Sequence, residues 1–269
     1  MENLFSYSPM AYEIVSQVLT LGFAVMLAAL FYFILTMRSV APRYRMSSVL
    51  SVVVMVSAFL ILFFQQASWV NAFQFNPASG LYERAAGADL FSNGYRYLNW
   101  LIDVPMLLFQ ILFIVEISKG QRDRTRNWFF FSGSMMILTG YVGQFYETTN
   151  TTALLIWGAI STIFFAHVLY LIYRVIQDGK QDLPPAAARI MGAIWWLFLI
   201  SWMLYPGGYL MPLLMNSEAG VVGRQIVYTV ADISSKVIYG ILLTQVAQIR
   251  SVADGYVSDS FVDATAAGD

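Results

Sequence analysis

The stretch VVGRQIVYTVADISSKVIYGILLTQVAQI, residues 221–249, decides how this chain reads. It stays apolar for longer than the roughly 20 residues a helix needs to cross a bilayer. Yet Lys236 lies near its middle, with Asp232 four residues earlier on the same helical face. A lone amine at that depth is costly and by default marks a functional site. Such a lysine can pair with an acid, lose its proton, or condense with an aldehyde to form a Schiff base. The third option creates a fixed cation that needs a counterion. A second membrane carboxylate is at hand: Asp103, in Arg96-Tyr-Leu-Asn99-Trp-Leu-Ile-Asp103-Val-Pro105.

Composition supports a membrane setting. The 269 residues are 58% hydrophobic and 12% charged, about half the charge of a soluble domain. A net charge of −1 argues against a nucleic-acid partner. The absence of cysteine excludes disulfides, thiolate catalysis and sulfur-bound metals, and the single histidine, His167, leaves no His cluster for zinc or haem. The first residues show no basic region or cleavage pattern, so no signal peptide is expected.

Seven apolar segments stand out, at about residues 10–37, 46–69, 93–116, 127–147, 151–173, 187–215 and 221–250. They predict an all-α fold, a seven-transmembrane helix bundle in one domain spanning residues 1–269. Residues 251–269 read as a polar cytoplasmic tail, disordered at its end. Arg38, Arg43, Arg45, Lys119, Arg122, Arg124, Arg126, Arg174, Lys180, Arg189 and Arg250 fall on one side and Arg84 on the other, which puts the N-terminus outside. The longest outer connection, about residues 70–92, carries turn chemistry, and Gln-Phe-Asn before Pro77 begins a short hairpin.

The third segment carries a polar stripe. At 100° per residue Asn99 and Asp103 differ by about 40°, and Gln110 returns to within about 20° of Asn99. Arg96 lies one turn outward. The seventh segment runs the opposite way and presents Arg224, Asp232, Ser235 and Lys236. A chromophore aldehyde on Lys236 needs an apolar, aromatic slot, for which Trp100, Trp202, Tyr205 and Trp157 are candidates.

With Asp232-Ile-Ser-Ser-Lys236, Trp202-Met-Leu-Tyr205-Pro206 and the third-segment run, the whole chain resembles the microbial rhodopsins. The triplet Asn99, Asp103, Gln110 is similar to that of the light-driven sodium-pumping subfamily; outward proton pumps carry Asp, Thr and a carboxylic donor there. The resemblance implies all-trans retinal as a protonated Schiff base on Lys236, with Trp100, Trp157, Gly158, Trp202, Tyr205 and Leu107 around it. The activity it implies is light-driven transport rather than enzymatic turnover: outward Na+ pumping, and proton pumping when sodium is absent. The implied setting is a bacterial inner (plasma) membrane.

A positive charge on the path repels Na+ by about a few kcal/mol at close range. Asp103 removes that barrier by accepting the proton and restores it by returning it. Na+ rests transiently at Asn99, Asp232 and Asp103. Arg96 and Arg224 gate release, the former paired with Asp232 or Glu147. Ser51, Ser57 and Gln65, with Gln110, line an inner uptake cavity. Asp89 resembles an acid that binds a second Na+ at a protomer interface, and a homo-oligomer, a pentamer, follows by resemblance. Leu107 suggests green absorption. Glu2 matches an acid that caps the outer exit. Ser48 and Thr244 depart from the subfamily pattern and bear on selectivity among Na+, Li+ and K+. An outward proton pump, a sensory rhodopsin and a light-gated channel are the competing readings.

Overall fold

The computed structural model describes residues 1–257. Seven long helices run in sequence: α1 (Pro9–Thr36), α2 (Arg45–Ala72), α3 (Gly94–Leu112), α4 (Lys119–Gln144), α5 (Thr151–Gly179), α6 (Pro185–Tyr209) and α7 (Glu218–Ala253). Their starts are written locally. Ser8, Ser118, Asn150 and Ser217 accept a hydrogen bond from a backbone N–H of the first turn, and Pro9 and Pro185 open α1 and α6. Short connections make sequential helices antiparallel neighbours, and α1 packs back on α7 to close the ring.

Among the described residues, five of these helices are long and apolar enough to span a bilayer by composition alone: α1, α2, α5, α6 and α7. α3 falls short because of its polar stripe. α4 falls short because Ser, Gly, Thr, Tyr and Gln dilute its apolar part, and it starts at Lys119, eight residues before the expected segment, so its first two turns are charged. Ser118 supplies the cap that sets this earlier start. The sixth segment also breaks sooner than expected, with α6 ending at Tyr209 and a separate turn at Met211–Leu214.

Burial is inverted relative to a soluble protein. Phe31, Leu35, Phe64, Ile163, Trp196 and Ile200 are exposed on the outward faces, while Arg96, Asp103, Arg224, Asp232 and Lys236 are buried. The chain is a multi-pass membrane protein.

The outer end is held by an aromatic cluster. The hairpin β1 (Phe73–Asn76) and β2 (Leu81–Arg84) forms as expected, with Gly80 turning it at φ 70°. Tyr7 bridges to Tyr82 through the backbone, and the Tyr12 and Tyr82 rings stack at 3.7 Å. Trp69, fully buried, meets Tyr7 at 5.0 Å, Phe73 at 4.7 Å and Phe91 at 5.2 Å.

At the other end the expected tail needs correcting. α7 continues to Ala253, and Ser251 is buried, its Oγ accepting the Ala41 N–H at 2.8 Å. Tyr256 accepts from Arg45 at 2.9 Å. Hydrogen-bonding side chains thus extend the ordered helix past the point where the sequence turns polar. The disorder expected at the end of the tail falls on residues 258–269, outside the described residues.

Within α7 the helix widens to a π turn over Ile233–Ile238, the segment that carries Lys236. Such turns recur at functional sites.

Truncating Trp69 to alanine removes the centre of the outer cluster. The expected loss is about 3–5 kcal/mol, read as a lower midpoint of helical circular dichroism on heating; an unchanged midpoint contradicts it.

Candidate lysine pocket and polar pathway

The amine of Lys236 is surrounded by oxygens from α3 and α7. Nζ donates to Asn99 Oδ1 at 2.6 Å and to Asp232 Oδ1 at 2.9 Å, while Asp103 Oδ2 lies at 3.3 Å. All four residues are buried. A cation here is balanced by two carboxylates, and the pairing is what makes its burial tolerable.

The two acids are held differently. Asp232 is anchored from several sides: Arg96 Nη1 donates at 2.6 Å, Trp100 Nε1 at 2.9 Å and the Tyr205 hydroxyl at 2.9 Å. Arg96 also donates to Thr229 Oγ1 at 3.0 Å, and Tyr205 meets Ser235 Oγ at 3.0 Å. Charge-assisted bonds of this kind fix a carboxylate in its ionised form and in place. Asp103 has no such set. Asn99 in turn donates to Ser57 Oγ at 3.2 Å.

A cavity of about 310 Å³ leads away from Lys236. Its walls include Trp100, Leu107, Gly158, Trp202 and Tyr205. Gly158 is needed for the packing: a Cβ there stands 2.7 Å from the Tyr209 ring. Trp157 is not on the wall and packs instead against Gly143 of α4. An aromatic cavity with the Lys236 amine on its wall fits an elongated apolar aldehyde condensed on Nζ, and its volume lies at the lower end of the usual ligand range, roughly 300–1,000 Å³.

Outward of this site lies a second buried polar layer. Arg224 donates to Glu2 at 3.1 Å and to Glu147 at 2.7 Å. Arg96 and Arg224 thus take different acids, Asp232 and the Glu2–Glu147 pair, so Glu147 is not the partner of Arg96. Asn93 donates to Glu2 at 2.7 Å, and Gln65 and Gln225 both donate to Asn93 Oδ1, at 3.1 and 3.0 Å.

Gln65 was expected in the inner cavity and lies here instead. α2 runs outward, so the 14 residues from Ser51 to Gln65 carry it about 21 Å toward the outer end. Ser57 likewise belongs to the Asn99 layer. Inward of Asp103 the buried polar residues include Gln110, Ser47, Ser48, Ser51 and Thr244. Both amide atoms of Gln110 are without a protein partner. Asp89 is exposed, on the rim of an outer groove of about 590 Å³ with Ser68, Asn71, Ser92 and Tyr95. The ring of His167 takes Ser132 Oγ at 2.8 Å, a contact between α5 and α4.

Sequence reading missed Asn93, Gln225 and Thr229. Gln225 and Thr229 lie seven and three residues before Asp232, a helical spacing that puts them on its face and carries the signal.

The profile described as bacteriorhodopsin-like protein matches residues 13–249, so the chain belongs to the bacteriorhodopsin-like family of microbial rhodopsins. That family binds retinal through a lysine Schiff base. Archaerhodopsin-3 of Halorubrum sodomense is 25% identical over 257 residues, 93% of this chain and 91% of that protein. The structure of xanthorhodopsin, described as a light-driven ion pump with dual chromophore, superposes with a TM-score of 0.86 at 29% identity, covering 94% of this chain and all of that one (100%). A thermophilic rhodopsin gives a TM-score of 0.86 at 30% identity over 93% of this chain and 99% of its own.

Burial raises the Glu2 pKa, but Arg224 and the chain's amino group outweigh it and hold the carboxyl at about 2, below its ordinary 4.5. A group depressed on folding contributes stability above its unfolded pKa and loses it as pH falls through the folded one. The advantage in thermal midpoint over Glu2→Gln is therefore full near pH 6 and shrinks between 4.5 and about 2; a difference constant over that window refutes the assignment.

Proposed function

We propose that this protein is a light-driven outward sodium pump, with retinal held on Lys236 and its polyene among Trp100, Leu107, Trp202 and Tyr205. One observation carries the reading. Among the described residues the buried acids are Glu2, Asp103 and Asp232, so the inner half has no buried carboxylate to relay protons, and Gln110 stands where such a donor would act.

Bound retinal supplies light absorption and a change of shape that alters the proton affinity of the linkage nitrogen. The remaining work belongs to the chain. Asp103 Oδ2, 3.3 Å from Nζ, accepts the Nζ proton, which neutralises both groups and removes the positive charge from the path. Asp232, held by Arg96, Trp100 and Tyr205, stays ionised. Na+ then rests on Asn99 Oδ1, Asp232 and the Ser235 hydroxyl, hard oxygen donors suited to it. Return of the proton from Asp103 to Nζ restores the repulsive charge behind the ion. The ion leaves past Arg96 and the Arg224–Glu2–Glu147 layer. Because Asp103 returns its own proton, no net proton moves while Na+ is present; without Na+, protons are carried instead.

The exposed groove around Asp89 supports a homo-oligomer, by resemblance a pentamer, with a second Na+ at the protomer interface. The basic inner ends of the helices suit a bacterial inner membrane.

Illuminated cells expressing the protein with retinal are expected to show, in NaCl, passive proton uptake that a protonophore enhances. Light-driven acidification that the protonophore abolishes in NaCl makes the protein a proton pump and ends the sodium reading.

Asp103→Asn is expected to stop Na+ transport and to red-shift absorption, because a neutral amide is a weaker counterion. Undiminished Na+ export by this variant removes Asp103 from the proposed role.

A further inference from the structure

The inner end of the bundle is closed by a cluster to which the transport cycle assigns no role. Tyr44 precedes α2, and two guanidinium groups lie on its ring, Arg43 and Arg250, each 4.8 Å from the ring centroid. The Tyr44 hydroxyl donates to Asp254 Oδ2 at 2.7 Å. Arg43 donates to Glu116 Oε1 at 2.6 Å and lies 3.3 Å from Asp254. Arg250 donates to the same Glu116 oxygen at 2.5 Å and to the carbonyl of Ile114. Three distant parts of the chain meet here: the α1–α2 turn, the α3–α4 turn and the end of α7.

The cluster sits directly over the inner polar residues. Tyr44 is one helical turn before Ser48, Ile114 one turn after Gln110, and Arg250 six residues, about 9 Å, past Thr244. On all three helices it is therefore the next layer inward of Ser48, Gln110 and Thr244. Below it the amide of Gln110 is buried without a partner. Exposure is graded. The Arg250 side chain is 5% exposed, whereas those of Glu116 and Arg43 are 50% and 55% exposed. Exposed ion pairs are weak and exchange readily; a buried arginine bonded to a helix-end carbonyl does not.

We propose that this cluster is the inner gate of the ion path, a reading that rests on the transport function above. Arg250 and Tyr44 form its fixed floor. Arg43 is the moving part. The carboxylates of Glu116 and Asp254 draw a monovalent cation, which displaces Arg43 and opens the way to Ser48, Ser51 and Gln110.

The chain contains no cysteine, so Ser51→Cys places a single thiol beneath the gate. In inside-out vesicles in the dark, a membrane-impermeant maleimide is expected to label it slowly. With Glu116→Gln added, labelling is expected to accelerate by about tenfold or more, the effect of losing a charge-assisted hydrogen bond on a local opening. Asp254→Asn, which leaves the Arg250 contacts in place, is the second variant if the first does not retain visible absorption. A thiol that labels at the rate of an exposed Asp123→Cys control overturns the gate, as does a rate that neither variant changes. Glu116→Gln is also expected to raise the half-saturating Na+ concentration for pumping with the maximal rate retained, a shift that general destabilisation does not produce. The two proposals fail separately: unchanged labelling with sodium export intact sinks the gate, and accelerated labelling with proton export in NaCl sinks the sodium reading.

Discussion

The pairing of one buried amine with two buried carboxylates is the constraint around which the rest of the molecule is arranged. Neither sign of charge is affordable alone in a bilayer. Lys236 therefore dictates that α3 and α7 present these side chains at one depth, so that Asn99, Asp103 and Asp232 reach Nζ. It dictates Arg96 as well, because two acids and one amine leave a charge to balance. Trp100 and Tyr205 then complete the hydrogen bonding of Asp232 while also lining the cavity. One pair of aromatic residues thus serves the polar and the apolar side of the same wall.

The asymmetry between the two acids matters more than their number. Asp232 is bonded to an arginine, an indole, a phenol and the lysine. A group so fully bonded is a poor destination for a proton. Asp103, with the lysine at 3.3 Å and no arginine, indole or phenol upon it, is free to take one. Division of labour between like groups by unlike surroundings is a general device for assigning acid and base roles.

Much of this was legible because charge inside an apolar run is an anomaly that sequence displays openly. Lys236, Asp232, Asp103 and Arg96 announce themselves, and periodicity puts Asn99 and Gln110 on one stripe. Legibility fails where depth or distant contacts decide. Gln65 reads as another polar residue of α2, and only the direction of the helix puts it in the outer layer with Asn93. The charged start of α4 hides where that helix begins, although Ser118 marks it. Trp157 looks like its aromatic neighbours, yet its place on α5 turns it toward Gly143. The inner cluster joins residues 43–44, 116, 250 and 254, and no local pattern connects them.

The π turn of α7 bears on how such a molecule moves. A helix whose hydrogen-bond ladder changes pitch across the lysine is a stiff rod with a joint at the reaction centre. The arm beyond the joint, Tyr239–Ala253, has 15 residues and is about 22 Å long. A bend of about 5° at the joint moves the far end by about 2 Å, the scale at which packed elements switch partners. Arg250 and the Ile114 carbonyl it holds are at that far end. The lever thus connects the atom where light-driven work begins to the surface where the cell interior begins, with no intermediate machinery.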